Sequence, residues 1–389
     1  MVKAATPALH EHSSERADRV RKSSAPERKD FLQARNGDRA CGRPENRAWA
    51  KKMPMNAVIL EHPGGLERLR RVERDDPGSP GPGEIRIRLQ ASSLNFHDLL
   101  VVCGKLPTEE GRIPLSDGAG VVEAVGAGVT EFASGDLVVS GFFPLWQDGE
   151  PTASDFRQVP GDGIDGYARE AVVVPASWFT RAPAGWTAAE AATLTTAGLT
   201  AWRALVVEGR LKAGETVLVL GTGGVSIFAL QIAKAMGARV IATSSSEAKI
   251  ERLRRLGADH AVDYRREPQW GKEVLLWTEG RGVDHVVEVG GPGTLNQSIR
   301  ACRIGGQISL IGVLTGIEGP VQTALLMQRQ IRLQGIVVGS RRHQLDLVRA
   351  MEATGLRPVI DRAFPLREIA DAFRHQESGS HFGKICLEF

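Results

Sequence analysis

The run Thr216–Ser226 (T-V-L-V-L-G-T-G-G-V-S) constrains this chain more than any other stretch. Five consecutive apolar or β-branched residues read as a buried strand, which passes through Gly221-x-Gly223-x-x-Ser226 directly into helix-forming sequence. A strand, a glycine turn and a helix in that order form the context in which a dinucleotide fingerprint has physical meaning. Gly221 permits the tight turn, and Gly223 lets the backbone approach a pyrophosphate at the positive end of the helix. The third position carries Ser226 instead of Gly or Ala, which still allows close helix–strand packing. Thr222, Gly224 and Val225 complete the expected cradle.

The sequence around the run extends the pattern. Arg239–Thr243, Val283–Val289, Gln307–Ile311 and Ile331–Val338 read as strands, with helical sequence at Ser226–Met236 and Glu247–Leu256 between them. Apolar strands alternating with helices predict a doubly wound parallel sheet covered on both faces. Upstream, Ala57–Leu60, Glu84–Ala91, Gly118–Gly126 and Leu137–Gly141 predict short strands punctuated by Gly and Pro, an irregular β-rich region reaching to about Pro183. Phe142–Asp165 is poor in pattern and predicts a long loop over a site. Ala188–Val207 reads as one helix, Gln344–Thr354 and Pro365–Gln376 as closing helical pieces, and Lys384–Phe389 as a last strand. The fold class expected is α/β.

Charge separates a first segment from the rest. Residues 1–54 hold 13 Lys and Arg against 7 Asp and Glu, in a chain whose net charge is +3. With few large apolar residues and no periodicity, the segment predicts a disordered basic extension, the folded protein opening at Met53 or Met55. The remainder is net negative, which argues against nucleic acid as a partner. No stretch approaches the roughly 18 apolar residues of a membrane span. The four cysteines lie far apart with no C-x-x-C pair, excluding a disulfide framework and fitting a reducing, cytoplasmic setting.

The end of the second strand speaks to cofactor choice. An NAD site places Asp or Glu there to hold the ribose 2′-hydroxyl. Here Ser244, Ser245 and Ser246 precede Glu247, and Lys249 follows. Hydroxyls and an ammonium suit a 2′-phosphate, so NADPH is expected rather than NADH. The same serines also suit a helix cap.

Residues 55–389 resemble the medium-chain dehydrogenase/reductase superfamily, and within it the zinc-free quinone oxidoreductase-like branch. The resemblance rests on Leu94-Asn95-x-x-Asp98, Gly118–Val122, Gly135-Asp136, Ala191–Trp202, Gly221–Ser226, Gly257-Ala258-Asp259 and Gly305-Gly306. It implies a GroES-like β-barrel catalytic domain (55–183 and 340–389) interrupted by a Rossmann NADP-binding domain (184–339). Zinc-binding members carry Cys where this chain has Asn95, a G-H-E whose His and Glu match Ser116 and Asp117, and a further Cys matching Thr196. Amides and hydroxyls are poor zinc ligands, so no metal is expected.

The resemblance also implies roles. Asn95 would contact the substrate or the nicotinamide ribose, His97 would act as acid or proton relay, and Asp98 would anchor the local turn. Thr196 would face the nicotinamide. Tyr264 and Arg265 would lie near the 2′-phosphate and adenine. Gly290, Gly312, Val313 and Val338 would contact ribose and nicotinamide, and Lys384 the pyrophosphate. Phe142, Phe143 and Trp146 would wall an apolar pocket or anchor the loop. The function implied is hydride transfer from NADPH to a small apolar quinone, enone or other activated carbonyl or alkene. An NAD(P)-dependent alcohol dehydrogenase and an NADPH-binding protein with little turnover are the alternatives. A homodimer through the edge strand Ile331–Val338 is expected.

Overall fold

The computed structural model describes residues 54–389. The basic extension expected over residues 1–54 therefore falls, Pro54 apart, outside the described residues. Six parallel strands form one sheet in the order His260–Asp263, Arg239–Ser244, Thr216–Leu220, Val283–Glu288, Cys302–Leu310, Arg332–Gly335. This is the doubly wound order, in which the chain reverses direction across the sheet beside Thr216–Leu220 and leaves a crevice at the strand ends there. Thr216–Leu220 is buried throughout, as its unbroken apolar run requires. The helix Gly224–Ala235 packs on it, and Ser226 Oγ donates 2.6 Å to the Leu220 carbonyl. The small third residue of the fingerprint thus ties the helix to its strand.

A second sheet runs Ile360–Pro365, Lys384–Glu388, Glu84–Ser93, Ala119–Val125, Leu137–Ser140, Phe179–Arg181, and Ala171–Pro175 also pairs with Glu84–Ser93. Chain order and spatial order differ here: the last strand of the protein lies between Ile360–Pro365 and Glu84–Ser93. A hairpin of Met55–Leu60 with Leu69–Arg74 stands beside this sheet. The core strands match the expected runs at Glu84, Ala119 and Leu137. Leu69–Arg74 (L-R-R-V-E-R) escapes pattern reading because four of its six residues are exposed and charged.

Two expectations need correction. The Ala188–Val207 helix is interrupted: α-helical turns at Ala188–Ala192 and Leu199–Trp202 alternate with π-helical ones at Leu194–Gly198 and Arg203–Val207. A π-turn changes the angular spacing of side chains and concentrates at functional sites; here it contains Thr196. The edge strand is also shorter than the Ile331–Val338 run, ending at Gly335, after which Val338 adopts a left-handed φ of 45°. That conformation is strained for a β-branched residue.

Candidate functional site

The glycine turn forms a cradle. Gly221 has φ 71°, which a side chain would strain, and its N–H donates 3.2 Å to Thr243 Oγ1. A Cβ built on Gly221 or Gly223 meets nothing within 4 Å, so the turn faces open space. The first-turn N–H groups of a helix lack intrahelical acceptors, which makes that space a site for an anion. The buried Thr222 accepts 2.9 Å from Gly383 N, and Gly223 bridges Gly383, so the turn is fastened to the start of the last strand. Gly224 lies against Lys384: a Cβ there would sit 2.5 Å from Lys384 Cδ. Val225 is half-buried on the adjoining core.

At the end of the second strand Ser244 is buried and its Oγ has no hydrogen-bond partner. Ser245 is half-buried beside it. Lys249 Nζ donates 2.6 Å to the Gly379 carbonyl, and burial lowers its pKa. Tyr264 is 41% exposed and its N–H donates 3.0 Å to Ser244 O. Asp263 is paired with Ser244 across the strands and accepts from Arg265 N at 2.9 Å. The open cradle at Gly221 and Gly223 fits the pyrophosphate of a dinucleotide.

The strongest polar cluster lies where the two sheets meet. Lys384 is only 3% exposed, and its Nζ donates 2.6 Å to Asn95 Oδ1 and 2.7 Å to the Leu94 carbonyl. Asp117, fully buried, lies 3.6 Å from the same ammonium and accepts from Ser93 Oγ at 2.5 Å and Thr196 Oγ1 at 2.6 Å. Burial, reinforced by the neighbouring Asp98 charge, pushes the Asp117 carboxyl up against the pull of Lys384. Asn95 Nδ2 makes only long contacts, 3.4 Å to Ser93 O and 3.4 Å to Ser116 Oγ. Asp98 accepts from Asn95 N at 2.9 Å and Ser116 N at 2.8 Å, the turn-anchoring role expected of it.

Lys384 thus lies inside the cluster, with its ammonium directed away from the pyrophosphate cradle. Its stem lines the cradle floor at Gly224 while its charge reaches Asn95 and Asp117. These residues do not fit a zinc ion: Asn95, Ser116 and Thr196 offer an amide and two hydroxyls, Asp117 the one good ligand, and a cation already stands among them. Among the described residues, no group of three or more His, Cys, Asp or Glu is placed to hold a metal.

His97, in the first turn of Phe96–Val102, places Nε2 2.9 Å from Asp162 Oδ2 and Nδ1 3.9 Å from Asp98 Oδ1. Burial alone would lower its pKa, but the two carboxylates raise it to about 9. The two carboxylates thus favour the protonated imidazole over the mid-range behaviour its residue type suggests. Its ring meets Phe142 edge-on, centroids 5.4 Å apart.

A cavity of about 850 Å³ opens at the strand ends beside Gly291, Gly312 and Val313. Phe143 and Phe156 wall it from the long loop, and Arg203 and Val337 from the sheet side. Gly290 holds its turn through Glu288 Oε1 at 2.8 Å. Val338 is buried and does not line this cavity; its carbonyl accepts from Arg203 Nη1 at 3.4 Å. Trp146 is an anchor, buried with Arg203 4.9 Å over its ring. Asn95, His97 and Thr196 lie outside the cavity lining. Sequence reasoning missed Asp162 and Arg203. Asp162 sits 65 residues from His97 with no motif around it, and Arg203 reads as an ordinary helix surface residue.

Residues 81–184 match the family described as alcohol dehydrogenase GroES-like domain, and residues 224–353 that described as zinc-binding dehydrogenase. A zinc-type alcohol dehydrogenase-like protein of Schizosaccharomyces pombe is 41% identical over 345 residues, 86% of this chain and 99% of that protein. The crystal structure of an NAD-dependent alcohol dehydrogenase is similar at a TM-score of 0.79 and 36% identity, covering 86% of this chain and all of that one. The crotonyl-CoA carboxylase/reductase AntE, solved in complex with NADP, is similar at a TM-score of 0.77 and 25% identity, covering 86% of this chain and 94% of that one.

Proposed function

The chain belongs to the medium-chain dehydrogenase/reductase superfamily, and we propose that it is an NADPH-dependent oxidoreductase that reduces a small apolar quinone, enone or other activated carbonyl or alkene without a metal ion. The observation carrying this reading is the donor set at the reaction centre. At the positions matched to zinc ligands this chain has Asn95, Ser116 and Thr196, and the Lys384 ammonium stands against Asn95 and Asp117 among them. A centre without a Lewis acid suits an acceptor that is already electrophilic.

When bound, the dinucleotide supplies a hydride. The chain's own residues do the rest. The open cradle at Gly221 and Gly223 takes the pyrophosphate, and Ser244, Ser245 and Lys249 favour a 2′-phosphate. The loop aromatics Phe143 and Phe156 give the cavity an apolar wall. Asn95 Nδ2, bonded only at 3.4 Å on either side, has donor capacity to spend on an oxygen where charge develops. His97 holds a proton below about pH 9 that a more basic alkoxide or enolate oxygen takes from it.

The relatives' names support a second reading, alcohol oxidation. Metal analysis combined with NADPH oxidation on a quinone and enone panel separates the two. Turnover of the panel by metal-free protein supports reduction of activated acceptors. Stoichiometric zinc with alcohol oxidation overturns it, and tight NADPH binding with no turnover would make the protein a binder. A second copy of this chain is proposed along the edge strand Arg332–Gly335, beside the exposed Ile317 and Val337. The wide cysteine spacing without a C-x-x-C pair supports a reducing compartment such as the cytoplasm, and among the described residues no helix is long and apolar enough to cross a membrane.

A further inference from the structure

Burying an ammonium is costly unless its donors and its charge are matched. Lys384 meets that condition unusually completely. Its Nζ has the Leu94 carbonyl at 2.7 Å, Asn95 Oδ1 at 2.6 Å and the Asp117 carboxylate at 3.6 Å. Two donors thus meet two oxygens at hydrogen-bond distance, and the carboxylate completes the charge match as an ion pair. A lysine serving only to neutralise Asp117 would place its shortest contact there. The shortest contact goes to a neutral amide instead.

That contact has a directional consequence. An Asn side chain has one acceptor end and one donor end. With Oδ1 taken by Lys384, Nδ2 is turned to the opposite side, where its neighbours Ser93 O and Ser116 Oγ are both 3.4 Å away. The ammonium also polarises the amide, making its N–H groups better donors. Asp117 is in turn held by Ser93 and Thr196, and the lysine stem lies against Gly224.

We propose that Lys384 is a positioning residue that fixes the Asn95 carboxamide, acceptor end inward and donor end toward the reacting oxygen, so that a buried Lys384–Asp117 pair does the orienting work of a metal centre. The proposal rests on the functional reading above in placing the reacting oxygen at Asn95.

A double-mutant cycle tests it. Lys384→Met keeps the stem and removes the charge; Lys384→Met/Asp117→Asn removes both charges, and keeps the test available if the single variant does not fold. Dinucleotide affinity is followed by fluorescence and turnover by NADPH oxidation. The charge-free double variant is expected to lose about 30-fold in kcat, with dinucleotide affinity changed less than about three-fold. Added to Asn95→Ala, the same two substitutions are expected to cost no more than about two-fold beyond Asn95→Ala itself, because the lysine acts through that amide. Additive losses, or unchanged kcat in the charge-free variant, overturn the proposal. Melting gives a readout independent of turnover: Lys384→Met lowers Tm and Asp117→Asn restores at least half of the loss, whereas an unaffected Tm overturns the pairing. Stoichiometric zinc held by the wild-type protein after chelation also overturns it. If the wild-type protein ignores quinones and enones but oxidises an alcohol, the functional reading fails alone, and the cycle is run on that alcohol. Absence of turnover on both panels overturns both.

Discussion

His97 and Asp162 meet at 2.9 Å, one from the first turn of Phe96–Val102, the other from the long irregular segment between Leu137–Ser140 and Ala171–Pro175. The contact pins that segment to the first turn of Phe96–Val102. It also fixes a charge there, since Asp162 together with Asp98 overcomes the effect of burial and raises the imidazole to about 9 from an ordinary 6.5.

The pairing sets a pH dependence. A raised folded-state pKa means that the stabilisation is fully present below about 6.5, declines as pH rises, and is lost above about 9. A proton-donor role gives kcat the same alkaline limb. The expected profile is flat through neutrality with an apparent pKa near 9. Asp162→Asn moves that limb toward lower pH by about one unit. A limb that stays in place in Asp162→Asn would detach His97 from the proton transfer.

Gly224→Ala tests the contact between cradle and cluster. The added methyl would lie 2.5 Å from Lys384 Cδ and 3.1 Å from Ala197 Cβ. Such overpacking typically costs about 1–3 kcal/mol. Because the displaced atom belongs to Lys384, the variant is expected to lose kcat as well as Tm. A fall in Tm with kcat intact would show that the lysine head stays in place when its stem moves.

Ser244→Asp tests cofactor choice. The buried unpartnered Oγ is replaced by a carboxylate that repels a 2′-phosphate and accepts from a 2′-hydroxyl. NADPH affinity is expected to fall by about 10- to 100-fold while NADH affinity holds or rises. Titration of both dinucleotides by fluorescence reads the result, and an unchanged ratio would remove Ser244 from the selection.

Asp284 anchors the parallel sheet from below. It accepts from Thr216 N at 2.9 Å, from Arg281 Nη2 at 2.8 Å and from Arg303 Nε at 2.5 Å. Burial opposes its ionisation, but these donors outweigh it and hold the carboxyl well below the usual range. A depressed pKa means stability present above about 3.9 and lost as pH falls through the folded value. Asp284→Asn is expected to cost about 2 kcal/mol at pH 7, with Arg281 half in solvent. Denaturant melts at pH 7 and pH 3 should show the gap between variant and wild type narrowing in acid.

The sequence makes the scaffold readable where burial is uniform. Thr216–Leu220 is apolar because both of its faces are covered, and Glu84–Ser93 alternates because they are covered unequally. Gly221 and Ser226 are legible for the same reason, since the turn and the helix packing each demand one residue type. Lys384 is not. One lysine has the same identity whether its ammonium lies in solvent, on a phosphate or among buried oxygens, and only the pairing of the last strand with Ser93 decides between them. The π-turn at Thr196 escapes for a related reason: Leu194–Gly198 has ordinary helical composition, and its irregularity comes from what it packs against.

The fastening of Gly223 to Gly383 ties the glycine turn to the strand that opens with Lys384. Lys384 follows Asn95, Asp117, Thr196 and Gly221 in chain order, so during synthesis a nascent chain holds its glycine turn and the strand Glu84–Ser93 before the cation that faces Asp117 has been added.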